Sequence, residues 1–377
     1  MTALIGATVA VAAGGPTATR AEGEGGEPIV LQQERIDVPT DFAHASTITQ
    51  ARDGALVVAW YGGQEEGDAD NRVYVTRNDG SGWSEPIALD DDGKCQNPVI
   101  YQPRKAGAPM LLYYKFFPRR RMRTSEDGGR TWSDPRELPD SDNPVLIGGY
   151  GGGFVGPSKN KPLELPNGTL LLGSSTETDE NGRWSVDHFQ VHVERTTDYW
   201  NDFELVGPLD AQGENLIQPT FLMHSPDGQR VQMICRKGLG SSGPTFFSDD
   251  AGKSWGPMRQ ITGSYGRAGI DALTLDNGLF VLAGSVGANR SAGRISVSAD
   301  GVHWTAALDG VNEGVGFEYP AMIQTTDRKV HLTYTRRTEE GSYVGHMVLD
   351  PDALTAACPE FTHKDMSFLL PTGQPSE

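Results

Sequence analysis

The chain has no run of about 18 consecutive apolar residues, so its sequence offers no helix able to cross a bilayer. Cysteine is scarce. Cys95, Cys235 and Cys358 are odd in number, far apart and free of CxxC or Cys-His spacing, which signals neither a disulfide framework nor a zinc site. No cofactor or metal is expected. Cations are also few, 32 Lys and Arg against 50 Asp and Glu, and a net charge of -18 argues against a nucleic-acid or anionic-membrane partner. Any anionic ligand must be held by a local gathering of basic groups.

What the chain does have is glycine (47) and proline (24), about a fifth of its 377 residues, which favours many short strands joined by tight turns. An all-β protein is expected. The run Ala3 to Gly15 is apolar and small, with no Lys or Arg before it and an acidic, Gly-rich stretch, Glu22 to Glu27, after it. Residues 1–33 therefore read as either a disordered tail or an imperfect signal segment, and the second reading would imply a secreted or periplasmic protein.

An internal repeat then fixes the domain count. Apolar, partly alternating runs that meet a turn and return begin at Ser46, Pro98, Pro162, Pro219, Asp271 and Pro320. Asp53-Gly54, Asn167-Gly168, Asp227-Gly228 and Asn277-Gly278 supply turn residues that tolerate positive φ. Six hairpins at this spacing suit four-stranded antiparallel blades, and six blades closing around an axis predict one β-propeller over residues 34–357 with a C-terminal tail, 358–377.

A second repeat lies farther along each unit. Ser125-Glu126-Asp127-Gly128-Gly129-Arg130-Thr131-Trp132 and Ser248-Asp249-Asp250-Ala251-Gly252-Lys253-Ser254-Trp255 share the pattern Ser-x-Asp-x-Gly-x-Thr/Ser-Trp. Shortened copies run from Asp79 to Trp83, Thr197 to Trp200 and Ser298 to Trp304. The chemistry is that of a turn: Ser and Asp oxygens accept loop N–H groups, Gly takes the strained dihedral and Trp packs between blades. These octapeptides resemble the Asp boxes, or bacterial neuraminidase repeats, of the sialidase superfamily, and the resemblance covers residues 36–355. It implies a six-bladed propeller. It implies an activity only weakly, since a fold hosts many chemistries.

In a propeller, the residues before each first strand and after each second strand converge on one mouth. Before the first strands stand His44, Gln96-Asn97, Lys159-Asn160-Lys161, Gln218, Asp271 and Glu318-Tyr319; after the second stand the loop Tyr61 to Asp70, Lys115, Glu177, Arg236, Asn289-Arg290 and Arg336. A rim drawn at random from so acidic a chain would carry mostly carboxylates. Instead Lys115, Lys159, Lys161, Arg236, Arg290 and Arg336 gather there, which points to a funnel for a carboxylate-bearing ligand.

The resemblance implies roles for single residues. Tyr319 resembles the tyrosine nucleophile of sialidases, a neutral group suited to an anionic substrate. Arg236, with Arg290 or Arg294, resembles members of the arginine triad that grips the sialic-acid carboxylate. Asp70 or Asp68, in the Gly-rich loop, stands where a catalytic acid is kept, and the same run equally suits a solvated surface loop. Two positions depart from the pattern. Asp41 to Ser46 occupies the place of the Arg-Ile-Pro arginine, and Gln218 that of the glutamate base, which a glutamine cannot replace. Glu318 or Glu177 remains as a substitute, although simple strand alternation points Glu318 away from Tyr319. His44 is a further general base or hydroxyl binder; Asn97, Lys159, Asn160, Lys161, Lys115, Glu177 and Asp271 are candidate sugar contacts. Three functions follow in order: a sialidase-like exo-glycosidase on a terminal acidic sugar, a uronate-directed lyase or hydrolase, and a carbohydrate-binding propeller without catalysis. An acidic glycan is the expected partner and a monomer the expected state.

Overall fold

The computed structural model describes residues 28–89, 93–116, 119–141, 153–179, 183–237, 243–263, 265, 268–287, 290–312, 316–339 and 341–371. They form six four-stranded antiparallel sheets. Strand β1 (Val30–Ile36) leads into the first blade, β2 (Phe42–Gln50), β3 (Leu56–Gly63), β4 (Arg72–Asn78) and β5 (Ile87–Leu89). The second holds β6 (Cys95–Tyr101), β7 (Met110–Phe116), β8 (Arg119–Ser125) and β9 (Arg136–Glu137); the third holds β10 (Leu163–Glu164), β11 (Leu170–Thr176), β12 (Gln190–Thr196) and β13 (Phe203–Val206). The fourth holds β14 (Leu216–Met223), β15 (Val231–Lys237), β16 (Gly243–Ser248) and β17 (Arg259–Ile261); the fifth holds β18 (Ile270–Thr274), β19 (Phe280–Val286), β20 (Ala292–Ser298) and β21 (Thr305–Val311). The sixth combines β22 (Glu318–Gln324), β23 (Val330–Thr338) and β24 (Gly341–Leu349) with β1, which pairs antiparallel with β24 from Val30↔Leu349 to Ile36↔Val344. The protein is thus a six-bladed β-propeller, as the repeats predict.

The boundary expected at residue 34 falls inside β1, so residues 30–33 are sheet rather than tail. Of the expected C-terminal tail, 358–377, the described residues 358–371 pack on the propeller. Cys358 is buried in the core between blades five and six beside the short helix α1 (Pro351–Ala356), which Asp350 caps through the Asp352 and Ala353 N–H groups, and Met366 is buried in the core between blades three and four.

Each pair of neighbouring blades encloses its own apolar layer, because strand alternation sends one set of side chains to each face. Val57, Ala59, Val75, Ile100 and Leu112 fill the first interface; Leu111, Tyr113, Leu170 and Leu172 fill the second. The Asp-box tryptophans seal these layers at their outer ends. Trp83, Trp132, Trp200, Trp255 and Trp304 each pack on the interface with the preceding blade. The interface between blades five and six has no box tryptophan, and there Leu354, Cys358 and Phe361 from α1 and the chain after it take the place.

The boxes are self-contained turns. Asp127 Oδ1 accepts from the N–H groups of Arg130 (3.0 Å) and Thr131 (2.9 Å), while Ser125 Oγ accepts from Gly129 N (2.8 Å). Asp250 repeats the pattern with Lys253 (3.1 Å) and Ser254 (2.9 Å). Burial alone would raise both acids, but the donated hydrogen bonds outweigh it and hold each carboxyl down at about 2.

Candidate active site

Four of the six innermost strands begin with the same irregularity. At Ala45, Asn97, Gln218 and Tyr319 the backbone is left-handed, with φ of 50°, 45°, 51° and 51°. In each case the ladder skips, so that two residues oppose one: Ala45-Ser46, Asn97-Pro98, Gln218-Pro219 and Tyr319-Pro320. Bulges of this kind re-aim a side chain, and a left-handed tyrosine is costly enough, about 1–2 kcal/mol, to mark a constrained position. The bulge also explains why simple alternation fails for Glu318 and Tyr319. Arg290 donates to the Glu318 carboxylate (2.6 Å) while its guanidinium carbon lies 5.9 Å from the centre of the Tyr319 ring.

Tyr319, only 8% exposed, is the hub. Arg236 Nη1 donates to its hydroxyl (2.9 Å) and to Gln218 Oε1 (2.8 Å). No carboxylate lies within hydrogen-bond reach of that hydroxyl among the described residues. The His44 ring lies 4.3 Å from the Tyr319 ring, and Phe42, Ala45 and Tyr61 complete the apolar wall. His44 is 1% exposed, and its Nδ1 has no hydrogen-bond partner. Burial first, then the charges of Arg337, Arg290, Arg236 and Lys159, push its pKa well below the usual range, so the imidazole is neutral.

Three further placements differ from the sequence expectation. Arg336 turns over Tyr343 (5.6 Å), whereas its neighbour Arg337 contributes the guanidinium: it bonds Glu318 (3.0 Å), approaches Glu66 (3.6 Å) and covers Phe42. The reason is alternation along β23. Thr335 accepts from Ala45 N on the first blade, so Arg337, two residues on, shares that face and Arg336 does not. In the first-blade loop, Asp68 and Asp70 are exposed, and Asp70 accepts only from neighbours in its own loop, Gln64 N (3.2 Å) and Asn71 (3.4 Å). The carboxylate that turns toward the mouth is Glu66, which accepts from the Tyr61 hydroxyl (3.1 Å).

The remaining candidates are spent on architecture. Asp271 accepts from Lys161 (2.7 Å), Thr220 (2.9 Å) and Met322 N (2.7 Å), tying blades three to six together around the axis. Asn160 donates to the carbonyls of Gln218 (3.1 Å) and Pro219 (3.0 Å). Lys115 and Glu177 form a buried ion pair at 3.2 Å; burial would raise Glu177, but Lys115, Arg120 and the Ser175 hydroxyl keep it below its ordinary value. Asn97 is buried at its bulge, and Asn289 lies outside the described residues. Arg294 pairs with Asp309 (2.7 Å) on the outer part of blade five. Among the described residues no cluster suits a metal ion, and no helix is long and apolar enough to cross a membrane.

The mouth therefore gathers Arg236, Arg290 and Lys159 around one phenol, with Arg337 beside them on Glu318 and Glu66. Solved structures that include sialidases align with this propeller. A Streptococcus pneumoniae NanB sialidase mutant superposes with a TM-score of 0.63 at 11% identity, over 87% of this chain and 71% of that one. A Trypanosoma rangeli sialidase gives 0.62 at 12%, over 84% and 56%. A Dyadobacter fermentans protein of unknown function gives 0.71 at 17%, over 85% and 98%. No curated protein sequence matches the chain. The chain belongs to the BNR repeat-like domain family, which it matches over residues 54–332.

Proposed function

We propose that the protein is a glycoside hydrolase of sialidase type that acts on a terminal sugar bearing a carboxylate. The observation that carries this reading is the convergence of Arg236 and Arg290 on the Tyr319 ring at 5.6 and 5.9 Å, with Arg337 joined to the same Glu318 carboxylate. Guanidinium forks match a carboxylate, and an excess of cations at a closed mouth selects an anionic ring over a neutral one. In the reaction, the Tyr319 oxygen bonds to the anomeric carbon as the glycosidic oxygen leaves with a proton from Glu66; the phenolic proton passes to solvent. Water then cleaves the tyrosyl–sugar bond, Glu66 accepting its proton, and the released phenolate is reprotonated.

A panel of fluorogenic glycosides, acidic and neutral, tests the reading. Release from an acidic glycoside, lost in Tyr319→Phe, is expected; equal turnover by that variant removes Tyr319 from the role. A second reading is favoured by one observation, the neutral His44 with an unbonded Nδ1 against Tyr319, beside Gln218 where a carboxylate base would stand. Such an imidazole suits abstraction of a proton next to an arginine-neutralised carboxylate. Unsaturated, ultraviolet-absorbing products from an acidic polysaccharide, without release from any simple glycoside, would select this lyase reading.

A further inference from the structure

The rim position of Lys159 in the sequence suggests a ligand contact, but the side chain is turned inward instead. It is 2% exposed and its Nζ is committed to two backbone carbonyls on other blades, those of Ile270 (3.3 Å) and Pro320. Pro320 is the second residue of the bulge that bears Tyr319. The lysine stem and the Tyr319 ring both flank the bare backbone of Gly269: a Cβ there would come within 3.1 Å of both Lys159 Cε and Tyr319 Cδ1. Its Nζ stands 5.9 Å from the ring centre. Blades three, five and six thus meet at one amine directly beside the phenol.

We propose that Lys159 is a positioning residue for Tyr319, holding the left-handed bulge from across the axis and so fixing the phenol against Arg236. Without a tether, a strained left-handed bulge can relax toward ordinary strand geometry. The tether is strongest while the amine is charged, because charge-assisted hydrogen bonds are roughly twice as strong as neutral ones. Burial lowers the Lys159 pKa from its usual value to about 7, opposed by Asp271 on β18 and reinforced by Lys161 and by Arg236 on β15. The other groups facing it are Tyr319 on β22 and the neutral His44 on β2. The tether therefore weakens as pH rises through about 7.

This role rests on the reading of Tyr319 as the reacting group, and the experiment separates the two. In protein carrying isotope-labelled tyrosine, the ring resonance of Tyr319, identified by its loss in Tyr319→Phe, is followed across pH by NMR. Wild type should show one step with a midpoint of about 7. Lys159→Met and Lys159→Arg should both lack it, the arginine variant staying near the wild-type low-pH position because its charge persists. If Lys159→Met does not fold, the arginine variant decides. A wild-type resonance with no step, or a step that survives in Lys159→Arg, overturns the proposal. On an acidic glycoside, Lys159→Met should lower kcat about tenfold or more with KM within about twofold, as expected when orientation rather than ligand contact is lost. If no glycoside is turned over while the step behaves as described, the glycosidase reading fails and the positioning role stands.

Discussion

The Asp boxes and the axial mouth use the same side-chain types to opposite ends. In the boxes the central carboxylate is satisfied by its own loop: Asp127, Asp250 and Asp300 each accept N–H groups from residues two to four positions on. At the mouth the polar groups face across blades, and some are left unsatisfied. His44 Nδ1 is buried and unbonded, Tyr319 sits in a left-handed bulge, and Lys159 is held far from its ordinary ionisation. Local satisfaction makes a repeatable structural part, whereas long-range, incomplete satisfaction leaves hydrogen-bonding capacity for a ligand. That contrast separates two kinds of polar chemistry within a single blade repeat.

Mutations should divide along the same line. The largest effect is expected for Tyr319→Phe, a loss of about a hundredfold to ten-thousandfold in kcat on an acidic glycoside, with thermal unfolding unchanged. Next, Arg337→Ala should raise KM for that glycoside about 10- to 100-fold while Arg336→Ala leaves it near wild type. Equal effects from the two, measured by steady-state kinetics, would break the assignment of Arg337 to the mouth. Glu66→Gln should then cost more turnover than Asp70→Asn, read as kcat on a poor leaving group where acid assistance matters most.

The smallest effect on catalysis belongs to the boxes. Asp250→Ala should lower stability by about 1–3 kcal/mol, seen in denaturant unfolding, with kcat per folded molecule unchanged. The pH dependence follows from its sign. The folded carboxyl sits at about 2, below its ordinary 3.8, so its contribution is complete above about 4 and is lost as pH falls toward 2. The wild-type and Asp250→Ala unfolding curves should accordingly converge in acid; a gap that stays constant down to pH of about 2 would remove the carboxylate from that role.

Much of the fold was legible in the sequence because its signals are local. Asp-Gly and Asn-Gly turns reappear as positive-φ glycines at Gly54, Gly168, Gly228 and Gly278, and the box tryptophans pack between blades. The site was legible in outline, since Tyr319, Arg236, Arg290 and His44 do come together. Its details depend on features that have no local signature. Which arginine of the 336–337 pair faces inward is set by the register of β23 against the first blade, and which loop acid turns in is set by the Tyr61 hydroxyl. Lys159 has the sequence of an exposed rim lysine, and only the approach of three blades buries it.

The clasp between β1 and β24 has a consequence for how the molecule is made. Residues 30–36 leave the ribosome early, yet their partners 344–349 are among the last of the propeller to be synthesised. The nascent blades must wait, unclosed, until β24 has been synthesised, and pairing so distant in sequence is slow to form. His44 and Tyr319 come from the first and sixth blades, on opposite sides of that seam. The candidate site should therefore be assembled all at once, with the closing of the ring.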